Sequence, residues 1–106
     1  MLFDTHCHLT DEAFRADLPA VLARAADAGV GRLVSIASTP DDTDDALARA
    51  ADGVHVWCTA GTHPHEASRW TEGDRARLRA LASDARVVAL GECGLDYHYD
   101  HSPRDV

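Results

Sequence analysis

The chain has 106 residues, enough for one small hydrophobic core, and its ten arginines and eighteen carboxylates give a formal net charge of −8. No segment gathers the basic residues into a stripe, which argues against extended contacts with a nucleic-acid backbone. The three cysteines are odd in number and widely spaced, so we expect a reduced cytoplasmic protein. No signal-peptide pattern is present and no apolar run is long enough to span a membrane, so we expect no membrane contact.

Short apolar runs alternate with alanine-rich stretches of helical period along the chain. This alternation predicts an α/β fold of nearly four βα units around a parallel sheet. The predicted elements, in chain order, are a strand over residues 2–4 or slightly beyond, a helix over 17–28, a strand over 32–37, a helix capped by Thr39 and ended by Gly53, a strand over 54–59, a helix over 71–83 and a strand over 87–92. The last strand is almost entirely apolar, as is typical of a parallel strand covered on both faces.

The first two helices carry start and stop signals. Pro19 falls in the first turn of the first helix and Gly29 comes directly after its end, while Pro40 follows the N-cap Thr39 of the second helix. The acidic segment 41–45 is interpreted as the first turn of that second helix, where carboxylates favour the positive end of the helix dipole. We prefer this interpretation to a metal-binding cluster.

The last residues, 102–106, repeat a helix start signal of serine, proline, arginine and aspartate. A helix that starts one turn before the last residue is not expected at the end of a finished domain. A complete eightfold βα barrel needs about 250 residues. We therefore expect residues 1–106 to be the N-terminal half of a single larger domain that is incomplete at its C-terminus.

Two histidines, His6 and His8, stand two residues apart where the first strand ends. Strand side chains alternate between faces, so Asp4, His6 and His8 share one face and both rings can reach one ion. The alternative is a pair of hydrogen-bonded core histidines. The position at a strand end favours a divalent-metal site.

Further candidate residues follow later strands, at the C-terminal edge of the sheet where α/β folds build their active sites. His63 and His65 follow the third strand, and Glu92 closes the fourth. Two imidazoles and a carboxylate suit zinc, iron or manganese, and a carboxylate can also bridge two ions. We expect His63 to face a substrate. His65 is either a second such residue or a solvated loop residue, and Asp96 either caps a turn or supports the site.

Three motifs together resemble the TatD family of metal-dependent deoxyribonucleases, within the amidohydrolase-like superfamily. They are DTHCHL at residues 4–9, GTHPH at 61–65 and GECGLDY at 91–97. The resemblance implies a TIM-barrel fold of which this chain supplies roughly the first four βα units. It also implies 3′-to-5′ exonuclease activity on DNA with two divalent ions, Mg, Mn or Zn. By this resemblance His6 and His8 hold one ion, and Glu92 bridges to the second and takes part in catalysis.

The chain departs from the family pattern in two respects. Cys93 stands where the family usually has isoleucine, a change between small apolar side chains that leaves the site intact. The family's remaining ligands, two histidines and an aspartate from later strands, have no counterpart here, so the chain carries about half of a site. We predict no stable protein partner, although half a barrel leaves an edge strand open to dimerisation or aggregation.

For a completed site, the expected reaction is hydrolysis of a DNA or nucleotide phosphodiester by metal-activated water. His63 and His65 would contact the phosphate, and Asp96 would position a ligand or the water. Two alternatives stay open. The first is another metal-dependent hydrolase, a PHP-type phosphoesterase or an amidohydrolase, although amidohydrolases usually bridge their metals with a lysine and this chain has none. The second is a catalytically inactive truncated fragment.

Overall fold

The computed structural model describes residues 1–49 and 54–106, so Gly53, the expected end of the second helix, lies outside the described residues. The strands are β1 (Leu2–Cys7), β2 (Val30–Ser35), β3 (His55–Ala60) and β4 (Val87–Leu90). The helices are α1 (Leu18–Asp27), α2 (Pro40–Ala48) and α3 (Glu72–Leu81), and short 3-10 helices cover Glu12–Phe14 and Pro64–Arg69. Among these described helices, none reaches the length and apolar character that a membrane crossing requires.

The strands pair in parallel in the order β1-β2-β3-β4. Each strand therefore lies beside the strand that precedes it in the chain, as short helical crossovers favour. The carboxyl ends of parallel strands meet at one edge of a sheet, so the segments after β1, β3 and β4 converge there. The alternating α/β architecture predicted from the sequence is confirmed.

The boundaries of β2 and β4 differ from the sequence prediction by two residues. β2 covers residues 30–35 rather than 32–37, because Gly29, with a φ of 86°, turns the chain directly into the sheet and accepts the Leu2 N–H at 2.7 Å. β4 ends at Leu90 rather than at residue 92. Glu92 has a φ of 49°, which lies outside the extended region and cannot continue a strand.

The hydrophobic core lies between α1 and the sheet. Its buried members are Leu9, Leu18, Leu22, Leu33 and Val54. Leu18 and Leu22 are four residues apart on α1, so they present the same helix face to the strands. Burial of one such leucine contributes about 2 kcal/mol. The core therefore holds α1 against β2, and Leu9, the residue after His8, packs in the same core next to the end of β1.

Helix α2 begins where the sequence predicts. Thr39 Oγ1 accepts the Asp42 N–H at 3.3 Å, and the Asp42 carboxylate accepts the Thr39 N–H at 3.0 Å, which completes a capping box. Asp41 and Asp44 both form ion pairs with Arg77 on α3. This acidic segment therefore serves the helix start and the contact between helices, which confirms its interpretation as a helix first turn.

The edge strands carry exposed apolar side chains. Leu2 on β1 is 63% exposed, and Val88 and Leu90 on β4 are 52% and 68% exposed. The prediction that the fourth strand is covered on both faces is wrong for the part of the chain that the structure describes. The physical reason is position: β4 lies at the edge of the sheet, and the sequence continues into a loop rather than into a covering helix.

The predicted helix start at residues 102–106 is a single turn in the structure. The Val106 N–H donates to the Pro103 carbonyl at 3.2 Å, an i to i+3 bond. An α-helix would instead need the bond from residue 106 to residue 102. Ser102, expected to be the N-cap, directs its hydroxyl to the 3-10 helix Pro64–Arg69.

Thr43 on α2 is fully buried, and its hydroxyl donates to the Thr59 carbonyl of β3 at 3.0 Å. We expect Thr43→Val to lower the free energy of unfolding by about 1–2 kcal/mol, because valine keeps the shape but removes the donor from a buried carbonyl. Urea unfolding followed by circular dichroism measures the change. The control is Thr5→Val at an exposed position of β1. Equal midpoints for the two variants would contradict the role given to the Thr43 hydroxyl.

Candidate metal centre

His6 and His8 lie at the C-terminal end of β1, His6 within the strand and His8 directly after it. The His6 N–H donates to Asp4 Oδ1 at 3.0 Å, so Asp4 supports the backbone and is not one of the clustered donors. His8 Nδ1 lies 3.2 Å from the Ile36 carbonyl oxygen. A carbonyl only accepts, so Nδ1 carries the proton and Nε2 keeps a free lone pair, the form in which histidine binds metal.

Cys7, between the two histidines, points to the other side of the strand. Its thiol donates to the Val34 carbonyl at 3.4 Å. Burial, with a smaller contribution from Asp4, raises the pKa of the thiol to about 11. A thiol that stays protonated at neutral pH is a poor metal ligand, because the thiolate is the form that binds. The ligand candidates on β1 are therefore the two imidazoles.

Glu92 follows β4 after Gly91 and has the left-handed backbone conformation already described. This conformation costs a residue with a side chain about 1–2 kcal/mol, so the surrounding contacts must hold it. The Gly91 N–H donates to the Ala60 carbonyl at 3.2 Å. The backbones of Gly61 and Gly91 lie so close that a Cβ atom on Gly61 would overlap the Gly91 carbonyl oxygen. These contacts between the ends of β3 and β4 fix the place of Glu92.

The side chains of His6, His8 and Glu92 come together although β1 and β4 are not neighbours in the sheet. Three strand spacings would separate β1 from β4 by about 14 Å in a flat sheet. In the structure one donor atom from each residue lies within 4.8 Å of the others, and His6 Nε2 is 3.6 Å from Glu92 Oε1. The reach of the side chains together with curvature of the sheet towards a barrel brings them into contact.

This set of donors fits a divalent metal ion. Metal–ligand bonds of about 2.1 Å hold two ligands of one ion at most about 4.2 Å apart. The donor atoms lie within 4.8 Å of one another, so small side-chain rotations are enough to enclose an ion. Two imidazoles and a carboxylate match ions such as zinc and manganese. Within residues 1–49 and 54–106, this is the group of His, Cys, Asp and Glu side chains that satisfies these distances.

His63 and His65 stand at the start of the 3-10 helix Pro64–Arg69. His63 Nδ1 accepts the His65 N–H at 3.0 Å, so in the neutral ring the proton is on Nε2 and His63 is a hydrogen-bond donor there. His65 Nε2 lies 2.9 Å from Asp96 Oδ2, and 36% of the His65 side chain is exposed. His65 is therefore half-buried, lies within a 3-10 helix and faces Asp96, so it is not a solvated loop residue.

Asp96 makes both kinds of contact that the sequence left open. Its Oδ1 accepts the N–H groups of His98 at 2.8 Å and Tyr99 at 3.1 Å, which caps a turn, while Oδ2 faces His65. These backbone hydrogen bonds, with a smaller contribution from His65, hold the pKa of Asp96 below its usual value. The carboxylate is therefore negatively charged at neutral pH and faces the His65 ring.

A cavity of about 200 Å³ connects the two groups of residues. Its lining residues are His8, Ser38, His63, His65, Glu66 and Glu92. Two of the predicted metal ligands, His8 and Glu92, and both predicted substrate histidines thus border one space. Ser38 and Glu66 are absent from the sequence prediction. The one available signal was the position of Ser38 after β2, at the same edge of the sheet.

The chain matches the family model described as TatD related DNase over residues 3–106. It belongs to the TatD DNase family. Among the curated relatives of this TatD family member, the 3′-5′ ssDNA/RNA exonuclease TatD of Cronobacter turicensis is 43% identical over 101 residues, which are 95% of this chain and 38% of the relative. The uncharacterized metal-dependent hydrolase YabD of Bacillus subtilis is 39% identical over 106 residues, which are 100% of this chain and 42% of YabD.

A solved structure agrees with the family match. The crystal structure of YjjV, a TatD homolog from Escherichia coli K12, resembles this chain with a TM-score of 0.78 and 33% identity, over 93% of this chain and 39% of the YjjV chain. The fold is therefore the α/β TIM-barrel type, of which this TatD chain supplies about four βα units, as predicted. The chain spans about two fifths of the length of the relatives it matches. Membership of the TatD family disfavours the PHP-type and amidohydrolase alternatives.

Proposed function

We propose that this TatD family member hydrolyses phosphodiester bonds with the help of divalent metal ions and shortens DNA from its 3′ end. The observation that carries the proposal is the convergence of His6, His8 and Glu92 beside a cavity that His63 and His65 also line. The names of the relatives agree with this chemistry, since one is a 3′-5′ ssDNA/RNA exonuclease and another a metal-dependent hydrolase.

In this proposal His6 and His8 would hold one divalent ion, Mg, Mn or Zn, and Glu92 would bridge that ion to a second. The Ile36 carbonyl orients the His8 ring and leaves Nε2 free for the ion. Glu92 Oε1 is the carboxylate oxygen near His6, so the other oxygen is available for a second partner. When bound, such ions would lower the pKa of a water so that hydroxide forms near neutral pH, and would offset charge on the phosphate oxygens.

His63 is the proposed hydrogen-bond donor to the phosphate. Its Nδ1 is occupied by the His65 N–H, which leaves Nε2–H as the group that can reach a substrate oxygen. A fixed donor at this place stabilises the negative charge that develops on the phosphate during hydrolysis. His65 then contributes to the phosphate contact mainly through His63, because its own Nε2 faces the Asp96 carboxylate.

The net charge of −8 favours a substrate that enters from one end over a duplex wrapped along the surface. A strand end needs contacts to only a few phosphates, which local histidines and bound ions provide. Single-stranded DNA is therefore the proposed substrate. A cytoplasmic location, in keeping with the free cysteines, and the lack of a stable protein partner remain predictions.

His6, His8 and Glu92 are too few to complete a site for two ions. We propose that residues 1–106 form the N-terminal part of a single hydrolase barrel and that further ligands come from outside these residues. The share of the relatives that this chain covers, 38% to 42%, is consistent with a partial site.

A chimera tests the proposed activity. Residues 1–106 are joined to the part of YjjV that this chain does not cover, and the product is incubated with Mn²⁺ and a single-stranded oligonucleotide labelled at its 5′ end. We expect stepwise shortening from the 3′ end, and no shortening by the same chimera with Glu92→Ala. A folded chimera that binds Mn²⁺ but leaves the oligonucleotide intact would refute the proposal and favour the inactive-fragment alternative.

A further inference from the structure

Ser102 binds the segment that carries the cavity histidines. Its hydroxyl donates to the His65 carbonyl oxygen at 3.0 Å and accepts the Ser68 N–H at 3.0 Å. This carbonyl and this N–H are three residues apart, which is the spacing that a 3-10 turn joins directly. One side chain therefore bridges both ends of the turn on which His65 lies.

The Ser102 bridge reaches the cavity through His65. The His65 N–H holds His63 Nδ1 at 3.0 Å, and the His65 ring faces Asp96 at 2.9 Å. Hydrogen bonds weaken steeply as their distance and angle change, so the hydrogen bond from the His65 N–H to His63 depends on a fixed His65 backbone. If the His65 peptide shifts, the His63 ring is free to rotate and to exchange its proton between the two nitrogens.

The loop after β4 thus holds His65 at two points, the ring through Asp96 and the backbone through Ser102. The His101 ring adds a packing contact, with its centroid 4.3 Å from that of His65. Ser102 lies 37 residues after His65 in the chain, so this is a tertiary contact that local helix formation would not produce by itself.

We propose that Ser102 is a positioning residue for the phosphate contact made by His63. The inference rests on the proposed function, because it takes His63 Nε2–H as the donor to the phosphate. The role requires one donor and one acceptor on a single atom, which a hydroxyl provides. Threonine retains both properties, whereas valine has the shape of threonine without either.

The matched variants Ser102→Thr and Ser102→Val, in the full 106-residue chain, test this inference. Long-range ¹H–¹⁵N NMR of the His63 ring reports its tautomer, and titration with thymidine 5′-monophosphate in the presence of Mg²⁺ reports the phosphate contact. We expect the Nε2–H tautomer in the unmodified chain and in Ser102→Thr. In Ser102→Val we expect mixed tautomers and binding weakened by about three- to tenfold.

Identical tautomers and identical binding in Ser102→Thr and Ser102→Val would overturn the inference. If the proposed function is wrong instead, the results differ. Glu92→Ala would then leave Mg²⁺ binding unchanged, while Ser102→Val would still give a mixture of His63 tautomers. Ser102 is only half-buried, so we expect both variants to fold. Ser102→Ala, which adds no atoms, provides a second variant without the hydroxyl and has the same expected result as Ser102→Val.

Discussion

Glu92→Ala should weaken binding of Mn²⁺ to the chain by about a hundredfold or more, since even residues that only orient metal ligands contribute about 10- to 100-fold. Glu92 provides the carboxylate that faces His6 at 3.6 Å, and two imidazoles alone hold Mn²⁺ poorly because this ion prefers oxygen ligands. Isothermal titration calorimetry measures the loss. Alanine and glutamate bear the same left-handed backbone strain at this position, so we expect little change in stability.

The matched control for Glu92→Ala is Glu66→Ala. Glu66 also lines the cavity, but its carboxylate pairs with Arg69 at 2.8 Å and lies outside the cluster of donor atoms. Its removal takes one negative charge from the same space and should leave Mn²⁺ affinity nearly unchanged. Equal losses in the two variants would show that general negative charge, rather than a ligand at residue 92, attracts the ion.

Gly61→Ala should lower the free energy of unfolding by about 3 kcal/mol, at the upper end of the usual cost of overpacking. The added Cβ atom would overlap the Gly91 carbonyl oxygen, a backbone atom that cannot rotate away. The ends of β3 and β4 must separate, which also moves Glu92 and should weaken Mn²⁺ binding. Urea unfolding and calorimetry on the same sample measure both effects.

Gly94→Ala is the control for Gly61→Ala, because a Cβ atom at Gly94 meets nothing within 4 Å. Its effect on the free energy of unfolding should stay within about 0.5 kcal/mol. If Gly61→Ala is as stable as Gly94→Ala and binds Mn²⁺ normally, the close backbone contact between the strand ends does not control the position of Glu92.

Local signals determined much of the fold. Thr39 and Pro40 marked the start of α2, and Gly29 marked the end of α1, because capping chemistry acts within a few residues. The predicted end of β4 was wrong, because the apolar run continues past Leu90 and no residue type in the sequence indicates that Glu92 has a positive φ. The prediction that both faces of β4 are covered was also wrong, because the sequence of a strand does not show which elements pack against its faces.

The residues of the candidate site were predictable by topology, and their distances were not. The rule that active residues follow strand ends found His6, His8 and Glu92, but their approach depends on the curvature of the whole sheet. Ser102 was interpreted as an N-cap because its local pattern fits one, whereas its partners lie on a distant 3-10 helix. Asp4 shared the predicted strand face, yet its carboxylate binds the His6 N–H.

The central claim is that His6, His8 and Glu92 form a divalent-metal site, and NMR of the isotope-labelled chain during a Mn²⁺ titration tests it most directly. A bound paramagnetic ion broadens the signals of the nuclei around it. We predict that the first additions broaden the His6, His8 and Glu92 side-chain signals before any others. Broadening centred on the acidic segment 41–45, or spread evenly over the carboxylates, would contradict the claim.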